Sequence, residues 1–137
     1  MKFYESGRTT PARGERLYSE RFPTASARYV YFELRYRNPR AARDTTAALR
    51  CRYLDADGKV FHTFQYDLEI EEGWTNVWST HGAGWEVPGR WRAGSYRLEC
   101  DRDGRLVATG AFEVVGGAMM EPVQGRGVRH RFFEGGQ

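Results

Sequence analysis

A chain of 137 residues is one domain of ordinary size, long enough to bury a core without metals or cross-links. Aromatics at 15% and 16 glycines, with few Ala-Leu-Glu-Lys stretches, favour strands and tight turns and exclude a helical bundle. The net charge of +3 is unevenly placed, since residues 1–43 carry ten basic side chains against four acidic ones, and no apolar run nears the ~20 residues that span a bilayer.

In chain order, Met1-Lys2-Phe3-Tyr4-Glu5-Ser6-Gly7 lacks the apolar centre of a secretory signal, so a cytoplasmic setting is expected. Residues 28–37 give the clearest strand. Val30, Phe32, Leu34 and Tyr36 alternate with Tyr29, Tyr31, Glu33 and Arg35, which places the first set on a core face and the second in water. Asn38-Pro39 ends that strand, and residues 40–48 read as a polar, Ala-rich loop. A strand over 49–54 puts Leu49, Cys51 and Tyr53 on one side. Asp55-Ala56-Asp57-Gly58 supplies the positive φ of a tight hairpin, and the return strand covers 60–70. Phe61, Phe64 and Tyr66 change parity along it, which predicts a bulge near Thr63.

Glu71-Glu72-Gly73 reads as a turn, 74–80 as a strand and 81–90 as an irregular loop. The closing hairpin runs from 95 to 101, turns at Asp101-Arg102-Asp103-Gly104 and returns over 105–115. Tyr96, Leu98 and Cys100 face inward on its first arm, and Leu106, Ala108, Phe112 and Val114 on its second. Val30, Phe32, Leu34, Leu98, Phe112 and Val114 are the expected heart of the core. Residues 1–137 are therefore read as a single β-sandwich domain, with 116–137 as a Gly-rich C-terminal extension able to pack on a neighbour.

Catalytic and metal chemistry is not legible. His62, His81 and His130 stand at no metal-ligand spacing, and neither Asp-x-Asp-Gly turn carries the remaining ligands of a calcium loop. Glu69, Glu71 and Glu72 read as a solvated strand end. Cys51 and Cys100 sit at inward positions, where a thiol behaves as a small hydrophobe. A sandwich could bring the two together across its sheets, but a reducing compartment favours free thiols. The expectation is no catalytic residue, no metal and no cofactor.

Binding signals are more specific. All four tryptophans fall between 74 and 91. Trp74 and Trp78 share a strand face and are expected in the core, and Trp91 is expected to pack beside Tyr96. Trp85 sits in the glycine-rich loop, where it either plugs an open end of the domain or faces a partner. With His81 and Arg90 of the same loop it forms one candidate contact. Phe132 and Phe133, in a C-terminal segment that resembles the first strand (Lys2-Phe3-Tyr4-Glu5 against Arg131-Phe132-Phe133-Glu134), form another, through which partial self-association is expected.

The run Trp91-x-x-Gly94-x-Tyr96-x-Leu98, followed by Asp103-Gly104-x-x-Val107-Ala108-x-Gly110-x-Phe112-x-Val114, resembles the closing hairpin of bacterial immunoglobulin-like domains. Leu98 stands where antibody domains place a tyrosine two residues before the second cysteine. The resemblance implies an antiparallel two-sheet immunoglobulin-like sandwich of about 7–9 strands, with a small closed β-barrel as the alternative. It also implies a non-enzymatic binding or accessory role through protein contacts. Two other readings stand beside it. One is carbohydrate or small-ligand binding by the loop tryptophans; the other is nucleic-acid binding by the Arg-rich N-terminal third, the less favoured of the two.

Overall fold

The computed structural model describes residues 1–37 and 45–116. Eight strands lie among them: β1 Lys2–Ser6, β2 Arg21–Pro23, β3 Tyr29–Arg37, β4 Thr45–Leu54, β5 Val60–Ile70, β6 Asn76–Gly84, β7 Gly94–Arg102 and β8 Arg105–Val115. One 3₁₀ turn, Arg13–Glu15, interrupts the link between β1 and β2. The expected stop at Asn38-Pro39, the start of the loop at 40–44, the extension beyond Gly116 and the contact residues Phe132 and Phe133 lie outside the described residues.

The strands form two separate sheets, not a closed barrel. A three-stranded sheet runs β1-β3-β6 and a five-stranded sheet runs β2-β8-β7-β4-β5. Every pairing is antiparallel except that of β2 with β8, which is parallel. A hairpin could not make that pairing. The chain reaches it by crossing from the small sheet to the large one over residues 7–20. Ser19 N–H donates to the Phe3 carbonyl at 2.9 Å, and Glu113 N–H donates to the Glu20 carbonyl at 2.8 Å.

The core lies between the sheets where period-two alternation puts it. Val30, Phe32, Leu34, Leu98, Phe112 and Val114 are all buried in one cluster with Leu49, Cys51, Tyr53 and Trp91. Two polar atoms inside it are satisfied by backbone of β3 or its approach. The Tyr53 hydroxyl donates to the Val30 carbonyl at 2.9 Å, and the Trp91 indole N–H donates to the Arg28 carbonyl at 2.6 Å. Both bonds tie the large-sheet side to the small sheet, and an unpaired donor there would cost a desolvation penalty. Gly84 completes the same corner. Its φ is 143°, and a Cβ on it would fall 2.2 Å from the Arg28 carbonyl oxygen, so the close approach of β6 to β3 requires glycine.

Several expectations need correction. Residues 45–48 belong to β4, not to a loop, because Thr45–Leu54 pairs with β5 from Thr45↔Ile70 onward. Residues 81–84 likewise extend β6, whose whole length pairs with β3. The bulge in β5 falls at Phe61, which is passed over between the pairs Tyr53↔His62 and Leu54↔Val60. Cys51 and Cys100 do not face each other across the two sheets. They are register partners on adjacent strands of the large sheet, both buried and free. The hydrogen bond between the two thiols, and then burial, hold the Cys51 thiol far above its ordinary value.

Candidate functional site

The two flanks of the sandwich differ. Residues 7–20 lace the β1/β2 flank, whereas β5 and β6 are joined by the turn at 71–75 and by side chains. β5 pairs with β4 along one edge, and among the described residues no strand pairs with its other edge. β5 is 11 residues long and contains no proline, glycine or lysine. Proline and lysine are two of the residues that blunt an edge, and here Asp67, Glu69 and the bulge at Phe61 act in that direction over parts of the strand.

Alternation along β5 turns Phe64, Tyr66, Leu68 and Ile70 toward the core side and leaves Thr63, Gln65, Asp67 and Glu69 more exposed. Phe64 and Tyr66 are partly covered by His81 of β6, whose ring centroid lies 4.0 Å from that of Tyr66 and 5.2 Å from that of Phe64. Burial lowers the His81 pKa, which favours the neutral imidazole. The Tyr66 hydroxyl meets Ser79 Oγ at 2.9 Å, and burial pushes its phenol well above the ordinary range. At the other end of the strand, the bulge leaves Phe61 40% exposed. Its ring is edge-on to Trp91 at 5.6 Å, and Trp91 in turn is edge-on to Trp85 at 5.6 Å. An aromatic belt thus follows the β5 edge from Tyr66 to Trp85.

The structure sorts the sequence-derived contact residues. Trp85 is 39% exposed just past β6, with its backbone N–H donating to the Arg28 carbonyl at 3.3 Å, so it both caps Trp91 and meets solvent. His81 is on a strand and points at β5, not at solvent from a loop. Arg90 is exposed in the following turn, away from the His81 contacts. Trp74 and Trp78 are not core residues. They are 45% and 39% exposed, because the inward residues of β6 are Val77, Ser79, His81 and Ala83. The guanidinium of Arg13 stacks over the Trp78 ring at 3.9 Å.

Sequence reasoning missed Phe61, Phe64 and Tyr66 as surface features. Their signal was present as an aromatic run, but only the strand order shows that this run is an edge. The arginines of the N-terminal third are largely engaged within the domain. Arg16 pairs with Glu33 at 2.8 Å, Arg28 with Glu5 at 2.7 Å, Arg8 with Glu86 at 2.9 Å and Arg21 with Glu113 at 3.5 Å. Among the described residues no group of three or more His, Cys, Asp or Glu comes together to hold a metal, and no helix is long and apolar enough to cross a membrane.

The strand order decides the architecture. Taken as A, B and E, strands β1, β3 and β6 make one sheet; taken as C′, C, F and G, strands β5, β4, β7 and β8 make the other together with β2 at its far edge, which is the immunoglobulin arrangement with C′ at its margin. The fold is an immunoglobulin-like β-sandwich. Among solved structures the chain is similar to that of an immunoglobulin-like protein from Pseudomonas aeruginosa, at 19% sequence identity and a TM-score of 0.42, covering 70% of this chain and 78% of that one. No family model matches the chain, and no curated protein matches it. Within the immunoglobulin-like domain, the buried Trp91 precedes strand F and does not lie on strand C, and Tyr53 on strand C fills the centre of the core.

Proposed function

We propose that this domain is a non-enzymatic binding or accessory module that works through protein–protein contact at its β5 flank. The observation that carries this reading is the 11-residue β5 edge, with which no second strand pairs among the described residues, with a partly exposed aromatic belt beside it. Such an edge offers backbone donors and acceptors to an added strand, and the alternate side chains supply specificity. The test is a photo-crosslinking amino acid placed at Thr63 on β5, with Thr109 on the exposed face of β8 as the control position. Protein adducts from position 63 and not from 109 are expected in the native cellular setting. No protein adduct at 63, or equal yields at both positions, overturns the reading.

Carbohydrate binding remains a second reading because Trp85 presents part of its ring to solvent. It predicts that Trp85→Ala abolishes saturation-transfer signals from a glycan panel. Nucleic-acid binding has less support, since the ion pairs above neutralise Arg8, Arg16, Arg21 and Arg28 within the domain.

A further inference from the structure

We infer that Cys51 and Cys100 form a redox pair, which an external disulfide converts into a bond within the large sheet that stabilises the fold. The two are register partners on β4 and β7, and both are at 0% exposure in the core. Opposed residues of an antiparallel ladder lie about 4.5–5.5 Å apart at Cα, inside the range of about 4.4–6.8 Å that a disulfide spans. They also point to the same face, and here the two thiols are hydrogen-bonded to each other. The bond therefore needs no sliding of one strand past the other. The chain holds no third cysteine, so no competing disulfide can form within it. An antibody domain ties strand B to strand F across its two sheets; this pair ties strand C to strand F inside one.

Closure is a two-step exchange. One thiol gives up its proton and its sulfur attacks glutathione disulfide, forming a mixed disulfide and expelling a glutathione thiolate, which takes that proton. The second sulfur then attacks the first, loses its own proton to the departing glutathione and completes the Cys51–Cys100 bond. Two protein thiols are oxidised, and one glutathione disulfide is reduced to two thiols. The closed loop of about 50 residues contains β5 and β6, one strand from each sheet. Closing it restricts the unfolded chain far more than the fold, in which the two cysteines are already neighbours. Burial sets the rate. β4 lies between β7 and β5, and β7 between β8 and β4, so an external disulfide reaches either sulfur only when the sheet opens. The pair thus answers to the redox setting in which the chain folds.

The test equilibrates the full chain with mixtures of reduced and oxidised glutathione, in native buffer and in denaturing urea, starting from both the reduced and the oxidised chain. Acid-quenched mass spectra read the fraction that has lost two hydrogens, and a peptide map reads the Cys51–Cys100 link. A bond that stabilises the fold is favoured by the fold to the same factor. The equilibrium constant for closure is therefore expected to be roughly 30- to 1,000-fold larger in native buffer than in urea. The thermal midpoint of the oxidised chain should lie about 5 °C or more above that of the reduced chain. Cys51→Ala and Cys100→Ala should each show no such rise on oxidation. A constant no larger in native buffer than in urea overturns the inference, as does a native product that stops at the glutathione mixed disulfide. An oxidised chain that melts no higher than the reduced one overturns it as well.

Discussion

Glu33 stands at a position that alternation along β3 assigns to water, yet it is only 7% exposed. Residues 7–20 fold back over the outer face of the small sheet and bring it two donors. Arg16 Nη1 donates at 2.8 Å and the Tyr18 hydroxyl at 2.5 Å, both to Glu33 Oε1. Arg16 also lies over the Tyr4 ring at 4.9 Å, and Tyr4 stacks on Tyr31 at 5.2 Å. A small second cluster thus fastens the crossing segment. Removing one member of a buried ion pair leaves the other uncompensated. Glu33→Ala should therefore cost about 3–5 kcal/mol in urea unfolding. Arg8→Ala breaks a pair whose side chains are 75% and 60% exposed, and should cost less than ~1 kcal/mol. Equal, small losses would mean that the Glu33 contacts do not fasten the segment.

At the scale of the element, one-residue irregularities decide which side chains are wet. Between β7 and β8 the ladder passes from Cys100↔Ala108 to Asp101↔Leu106, which leaves Val107 without a partner. Leu106, assigned inward from its parity with Phe112, lies beyond this shift at the hairpin tip and is 53% exposed. Leu98, on the regular part of the same hairpin, is fully buried. Leu98→Ala should cost about 2–5 kcal/mol through the lost contacts and the cavity left behind, whereas Leu106→Ala should cost less than ~0.5 kcal/mol. Urea midpoints of the two variants give the comparison directly. A large loss at Leu106 would place the shift elsewhere. The tryptophan correction also belongs to this scale, since a shared strand face suggested that Trp74 and Trp78 were core while β6 turns Val77, Ser79, His81 and Ala83 inward.

Across the whole molecule, tyrosines hold both the core and the outer cluster together, and this couples the fold to alkaline pH. Burial raises the pKa of Tyr31, Tyr53, Tyr66 and Tyr96, and burial with the Glu33 carboxylate raises that of Tyr18. A folded-state pKa above the unfolded value, about 10 for tyrosine, stabilises the protonated fold. That contribution is fully present below about pH 10 and is lost as pH rises through the folded values. The urea midpoint should therefore fall steadily above about pH 10, and phenolate absorbance should show the buried tyrosines ionising only as the chain unfolds. Full ionisation of all eight tyrosines near their ordinary value in a folded chain would contradict this.

The sequence by itself determined what depends on neighbouring residues. The spans of β5 and β8, the two Asp-x-Asp-Gly turns and the six residues at the heart of the core follow from a backbone period of two and from the turn chemistry of glycine. Tertiary structure alone decided what depends on distant partners. It set Cys51 beside Cys100 in one sheet, made β2 parallel to β8, buried Glu33 beneath residues 7–20 and left β5 at a sheet margin. Alternation states that a strand has two faces. It does not state which strand lies on either side, and an edge is defined by the neighbour it lacks. That is why the residues of the β5 flank could be read one by one as a strand, while their place at a sheet margin emerged only when the two sheets were assembled.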